Sequence, residues 1–156
     1  MEFADTDAMM ETDAALAEVL AELKAREPIF HRPEWGTARA DFERMTMEDF
    51  WEVGASGKRY SRAYVLDLLE ERYATPHEDD LEAFGFYCRR LTENVYLLTY
   101  TLRQPQDRWT RRATIWQRSE AGWQIVYHQG TIIQHQVVSD ESKQAGSCVR
   151  KSSLRG

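Results

Sequence analysis

The chain has 156 residues, of which 42% are hydrophobic and 12% aromatic, and its formal net charge is −6 at pH 7. This length suits one domain with a conventional core, and the composition excludes a disordered chain. The acidic balance argues against nucleic acid as a partner, because phosphate-binding surfaces need a basic stripe. No basic leader opens the sequence and no apolar run approaches the roughly 18 residues of a membrane span, so we expect a cytoplasmic protein without a membrane segment.

The first part of the chain predicts a flexible lead-in and one helix. Residues 1–12 are acidic, and we expect the folded domain to span residues 13–136. An amphipathic helix is predicted next, because apolar residues recur at i, i+3, i+4 and i+7. These residues are Leu16, Val19, Leu20 and Leu23. The helix is expected to end near Arg26, since Pro28 disfavours helical geometry in the residue before it.

Two further helices are predicted on either side of a strand. Thr37 can cap a short helix, and the run DFWEVGASG at 49–57 then indicates a strand followed by a tight turn. Ser61 is expected to cap the third helix, which has an apolar stripe and ends at Pro76 at the latest.

The rest of the chain is mostly strand. Alternating residues predict strands near 84–89 and over Val95–Leu102, and two more within Arg111–Ile133 on either side of the turn Ser119–Gly122. Short turns between consecutive strands indicate an antiparallel meander, and helices followed by strands indicate an α+β fold. Residues 137–156 lack periodicity and predict a disordered tail.

Strict alternation assigns the residues of the last strand to two faces. One face holds Trp123, Ile125 and Tyr127, and the other holds Val126 and His128. Because bulky groups lie on both faces, we expect helices to cover one face and a second subunit to cover the other.

The order of these parts resembles the nuclear transport factor 2-like superfamily, and its SnoaL-like branch in particular. The resemblance covers Leu16–Ile133 and rests on two pieces. One is Asp49-Phe50 followed by Gly54–Gly57, and the other is Gly122-Trp123 followed by His128–Thr131. The resemblance implies a cone in which a curved antiparallel sheet wraps around N-terminal helices. It also implies ligands inside the cone and a homodimer formed through the outer face of the sheet.

Activity does not follow from this resemblance, because the same scaffold carries isomerases, dehydratases, epoxide hydrolases, cyclases and members without chemistry. The donor pair of the ketosteroid-isomerase-like members has no match in spacing here. We expect a pocket for a small, partly apolar organic molecule. These residues fit a pocket with acid/base chemistry of isomerase, lyase or hydrolase type, and they also fit a pocket without catalysis. The alternative is a non-catalytic dimeric protein-interaction module whose cone is filled by its own side chains.

Glu52 and His128 are the candidate catalytic residues. If Glu52 faces the cone, burial would raise its pKa and make it a usable general base, whereas a carboxylate paired at the rim would be structural. His128 lies mid-strand beside Gly130, which leaves space next to the imidazole. It could move protons, or it could be a buried ring held by structural partners.

Six further residues are candidate ligand contacts. They are His31, Trp35, Tyr64, Tyr100, Arg112 and Trp116. The first two belong to an aromatic loop that could close the mouth of the cone, although we expect Trp35 to plug the core and leave the role of His31 open. The two tyrosines could supply hydroxyl donors or serve packing alone. Arg112 could bind an anionic ligand through its guanidinium fork. We expect no metal, since the histidines form no helical pair, and no cofactor, since phosphate loops and dinucleotide fingerprints are missing.

Overall fold

A computed structural model describes residues 7–76 and 78–134. The fold lies within Met10–Ile133, which forms one compact unit. The predicted tail at 137–156 and the first half of the predicted lead-in lie outside the described residues.

The described helices begin close to where local signals place them. They are α1 (Ala17–Lys24), α2 (Arg39–Arg44) and α3 (Arg62–Arg72), with single 3₁₀ turns at Ala14–Leu16 and Pro33–Trp35. Ser61 caps α3 as predicted, because its hydroxyl accepts the amide of Tyr64 at 3.1 Å. The predicted cap at Thr37 is wrong. Instead the carboxylate of Asp41, inside the first turn of α2, accepts the amide of Ala38 at 3.0 Å.

The strands form a single mixed sheet. They are β1 (Thr46–Val53), β2 (Arg59–Ser61), β3 (Glu82–Thr92), β4 (Val95–Gln104), β5 (Arg108–Ser119) and β6 (Gly122–Ile132). Their order across the sheet is β2-β1-β6-β5-β4-β3. Strands β3 to β6 form the predicted antiparallel meander. Two features were not predicted: β2, which returns antiparallel to β1 after the turn, and the parallel pairing of β1 with β6.

A β-bulge in β6 changes which of its side chains face the interior. Adjacent residues of β5 pair with Tyr127 and Ile125, so Val126 has no partner of its own. An extra residue reverses the alternation of faces. Ile125 is therefore fully buried before the bulge and His128 is buried after it. The prediction that these two residues lie on opposite faces is wrong for this reason.

The core lies between the helices and the inward face of β4, β5 and β6. Its members come from every helix described and from the centre of the sheet, and they include Leu23, Phe42, Leu69, Leu98, Trp116 and Ile125. At one end of this core the ring of Phe30 meets those of Phe42 and Phe50 edge to face, with centroid distances of 5.9 and 6.1 Å. Aromatic side chains therefore fill that end of the core. The helices and the single sheet together confirm the predicted α+β fold.

Candidate functional site

The loop after α1, the end of α3 and strands β1, β4, β5 and β6 enclose a chamber of about 100 Å³. Five predicted site residues line it, namely Glu52, His128, His31, Tyr100 and Arg112. Strand register explains why they converge. Glu52 lies opposite His128 in the parallel β1–β6 pair, and Tyr100 lies opposite Arg112 in the antiparallel β4–β5 pair. Directly opposed residues present their side chains on the same face of a sheet.

Glu52 lines the chamber, and none of the described residues donates a hydrogen bond to its carboxylate. Burial raises the pKa of its carboxyl, and the nearby charges of Arg112 and Arg72 oppose that rise. Those two arginines act at a distance, because no hydrogen bond or ion pair joins them to Glu52 within residues 7–76 and 78–134. Since its oxygens are not occupied by donors, this carboxylate is chemically available to a molecule in the chamber.

His128 is buried and neutral. Burial, followed by the nearby charge of Arg112, lowers its pKa to about 3. Its Nδ1 lies 2.8 Å from the hydroxyl of Thr114, and its Nε2 lies 3.5 Å from Nη1 of Arg112. Because a guanidinium can only donate, Nε2 carries the lone pair and Nδ1 carries the proton. The imidazole is therefore a hydrogen-bond acceptor on the side that faces Arg112.

Glu27 is the residue that sequence reasoning missed. Its side chain is fully buried behind the chamber. It accepts hydrogen bonds from the hydroxyl of Tyr100 at 2.7 Å, the amide of Ile29 at 2.7 Å and the indole of Trp116 at 3.1 Å. Burial raises the pKa of Glu27, whereas these donors and Thr114 oppose the rise. Tyr100 and Trp116, both predicted as ligand contacts, thus donate their hydrogen bonds to a buried carboxylate.

Two arginines bring positive charge to the chamber. Arg112 donates from Nε to Thr110 at 2.9 Å and from Nη2 to Gln104 at 3.3 Å, and burial lowers its pKa. Its guanidinium lies against Gly130, where an added Cβ would stand 3.3 Å from Cζ, so a larger residue would crowd the arginine. Arg72, the last residue of α3, also lines the chamber, and sequence reasoning did not select it.

A larger pocket of about 430 Å³ adjoins the chamber and shares Pro28 and His31 with it. Leu81 and Phe86 give this outer pocket an apolar part. His31 donates from Nδ1 to the carboxylate of Asp79 at 2.8 Å. Burial lowers the pKa of His31, whereas the hydrogen bond to Asp79 raises it. The imidazole of His31 therefore forms the wall between the outer pocket and the chamber.

The remaining predicted residues lie away from both cavities. Trp35 packs under the guanidinium of Arg26, 4.0 Å from the ring centroid. It borders, together with Trp116, a crevice of only about 10 Å³, which has no room for a ligand. Tyr64 is 51% exposed and stacks on Tyr60 with a centroid distance of 5.1 Å.

Neither a metal centre nor a membrane-spanning helix is found in the part of the chain that the structure describes. No three side chains of His, Cys, Asp or Glu there are grouped so that they could hold a metal ion. No helix in these residues is both long and apolar enough to cross a bilayer.

The chain has the nuclear transport factor 2-like fold, which is also described as a cystatin-like fold. It is similar to a nuclear transport factor 2-like protein from Cytophaga hutchinsonii, with a TM-score of 0.59 over 78% of this chain and 100% of that chain, at 10% identity. A cystatin-like fold protein from Burkholderia xenovorans gives 0.59 over 78% and 93%, at 12% identity. A nuclear transport factor 2-like protein of unknown function from Silicibacter pomeroyi gives 0.56 over 75% and 98%, at 17% identity.

The sequence itself matches no protein-family model and no curated protein. At these identities the structural likeness defines the fold alone, and it confirms the predicted fold. Membership of the SnoaL-like branch and the cytoplasmic location stay predictions.

Proposed function

We propose that the protein binds a small, partly apolar organic molecule in the outer pocket, with one polar end reaching the chamber. The volume of about 430 Å³ supports this proposal, because ligand pockets usually occupy roughly 300 to 1,000 Å³. The lining supports it as well. Apolar side chains such as Phe86 border the outer pocket, whereas charged and polar groups border the chamber.

Glu52 is the proposed general base for any reaction at the polar end of the ligand. A carboxylate with a raised pKa holds a proton more strongly than an exposed one, so it is better suited to proton transfer near neutral pH. His128 is too weak a base to share this role, since its pKa is about 3. Its Nε2, 3.5 Å from Nη1 of Arg112, instead helps to orient that guanidinium within the chamber. These roles fit isomerase, lyase or hydrolase chemistry that begins with removal of a proton.

Native mass spectrometry of the purified protein tests whether a molecule is retained, and a pair of blocking variants locates it. Ala83 lines the outer pocket, so Ala83→Trp fills that space. The control Ala63→Trp places the same side chain on the exposed face of α3. We expect Ala83→Trp to abolish retention while Ala63→Trp keeps it. Retention by both variants would contradict binding in the outer pocket.

The catalytic part of the proposal has its own matched pair. Glu52→Gln removes the proposed base, and Glu48→Gln changes an exposed carboxylate on the same strand. With the retained molecule as substrate, we expect turnover to fall about 100-fold or more in Glu52→Gln and to be unchanged in the control. Equal turnover in the two variants would exclude Glu52 as the base.

A second proposal, that the protein forms a homodimer, has a specific observation in its favour. Four apolar side chains lie in one row across the outer face of the sheet, because their positions pair directly. They are Leu97, Ile115, Tyr127 and Trp51. Trp51 is 44% exposed, and its ring lies 4.7 Å from that of Tyr127. Apolar patches of this kind are typical of surfaces that pack against another protein.

Sedimentation analysis tests the homodimer. We expect the unmodified protein to sediment as a dimer and Trp51→Lys to sediment as a monomer. Leu91→Lys changes a side chain of similar exposure, 48%, outside the row, and should leave the dimer intact. A monomeric unmodified protein would overturn the proposal and, with it, the alternative of a dimeric interaction module.

A further inference from the structure

The chamber contains more hydrogen-bond donors than its own residues use. Nη1 of Arg72 is buried and has no hydrogen-bond partner among the described residues. Buried polar groups in folded proteins are almost always paired, and charged ones especially so. An orphaned guanidinium nitrogen beside a cavity therefore points to a partner that occupies the cavity.

Arg112 has spare donors in the same place. A guanidinium has five N–H groups in a planar fork. Within the described chain, Nε and Nη2 are bonded to Thr110 and Gln104, and Nη1 approaches His128, so one N–H on each terminal nitrogen is left over. Arg72 and Arg112 both line the chamber, and their charges also affect the pKa of Glu52 and of His31.

The acceptors of the chamber do not satisfy these donors. Glu27 does not line the chamber, and its oxygens are occupied by Tyr100, Trp116 and the amide of Ile29. Glu52 lines the chamber, but it bonds to neither arginine in the described residues. His128 offers only one lone pair. Arg72 and Arg112 thus line a space whose own residues supply too little anionic oxygen for their donors.

We propose that the chamber receives a carboxylate group of the ligand, held by Nη1 of Arg72 and the spare N–H groups of Arg112. This inference rests on the proposed binding of an organic molecule in the outer pocket and assigns its class, a monocarboxylic acid with an apolar body. A carboxylate is planar and matches the guanidinium fork, and the chamber of about 100 Å³ suits so compact a group. The apolar body extends past His31 toward Phe86 in the outer pocket.

Calorimetric titration with hexanoate and hexanamide tests this assignment, because the two probes have nearly the same shape and differ in charge. We expect hexanoate to bind the unmodified protein about 10- to 100-fold more tightly, as charge-assisted hydrogen bonds contribute more than neutral ones. Arg72→Met should remove that preference. Arg59→Met, which removes one positive charge at an exposed position of β2, should retain it.

Arg72→Lys keeps the charge without the fork and should show an intermediate preference. Equal affinity for hexanoate and hexanamide in the unmodified protein would overturn the carboxylate assignment and leave the proposed pocket standing. Binding of neither probe would contradict the pocket itself. If inorganic phosphate displaces hexanoate as effectively as acetate displaces it, the chamber is a general anion site. That result would overturn the choice of a carboxylate.

Discussion

Glu27 and Glu52 are two carboxylates inside the same fold, and burial raises the pKa of both. Their hydrogen bonding is opposite. Glu27 accepts from Tyr100, Trp116 and the amide of Ile29, whereas Glu52 accepts from no group in the described chain. Glu27 therefore holds buried core residues together, whereas Glu52 lines the chamber that can receive a ligand. A perturbed pKa does not separate a structural carboxylate from a reactive one, whereas the number of donors around it does.

The largest expected effect is the loss of Glu27. Glu27→Ala leaves three buried donors without an acceptor, and each unsatisfied group costs about 1 to 3 kcal/mol. We expect the free energy of unfolding, measured by urea denaturation, to fall by about 3 kcal/mol or more. Glu18→Ala, on the exposed side of α1, should change it by less than about 0.5 kcal/mol. Similar small losses in both variants would show that Glu27 does not organise this region.

The next effect concerns pH and His128. Its pKa is about 3 in the folded protein and near 6.5 in the unfolded chain. Between these values the unfolded state binds the extra proton, so stability falls as the pH decreases from 6.5 toward 3. At pH 5 this loss amounts to about 2 kcal/mol. Urea denaturation gives the free energy of unfolding at pH 7 and at pH 5. We expect the difference between these two values to be about 2 kcal/mol smaller in His128→Gln than in the unmodified protein. An unchanged difference would mean that the folded protein protonates His128 readily.

A smaller effect of opposite sign is expected for Glu52. Because its folded-state pKa is raised, the folded protein keeps a proton that the unfolded chain has already released. Stability is therefore lost as the pH rises from the ordinary carboxyl value through the folded pKa. Glu52→Gln removes this loss, so the variant should unfold at a higher temperature than the unmodified protein at pH 7 and without that advantage at pH 4. Glu48→Gln, an exposed change on β1, should show no such crossover.

The smallest expected effect is that of Tyr64. Tyr64→Ala truncates a half-exposed ring that stacks only on the surface. We expect a change in unfolding free energy within about 0.5 kcal/mol and no change in hexanoate affinity. Loss of binding in this variant would bring Tyr64 back as a ligand contact and would enlarge the site beyond the chamber.

Local signals in the sequence predicted the features that neighbouring residues determine. The serine cap of α3 and the turn at Ser119–Gly122 are of this kind, and so is the meander. Glu27 could not be found in this way. Its partners Tyr100 and Trp116 follow 73 and 89 residues later, and nothing nearby distinguishes it from a solvated glutamate. The parallel pairing of β1 with β6 is equally remote in sequence.

Arg72 was within reach of sequence reasoning. It follows Val65 by seven residues and Leu69 by three, so helical spacing places it on the buried stripe of α3. A charged residue on an apolar stripe is either paired inside the fold or directed at a cavity. This spacing is therefore the sequence signal that distinguishes Arg72 from a surface arginine. The position of His128 was predicted with the wrong neighbours, because no local pattern marks the extra residue at Val126.

The extra residue at Val126 determines which of the later side chains in β6 face the interior. If Val126 instead took a regular, paired place in the strand, the segment after it would turn over and present Tyr127 to the interior in place of His128. The bulge alone thus decides whether an imidazole or a phenol lies in the cavity, while every side chain keeps its identity. Among chains that share this fold, a bulge gained or lost in the last strand at constant length is accordingly a direct route to new chemistry.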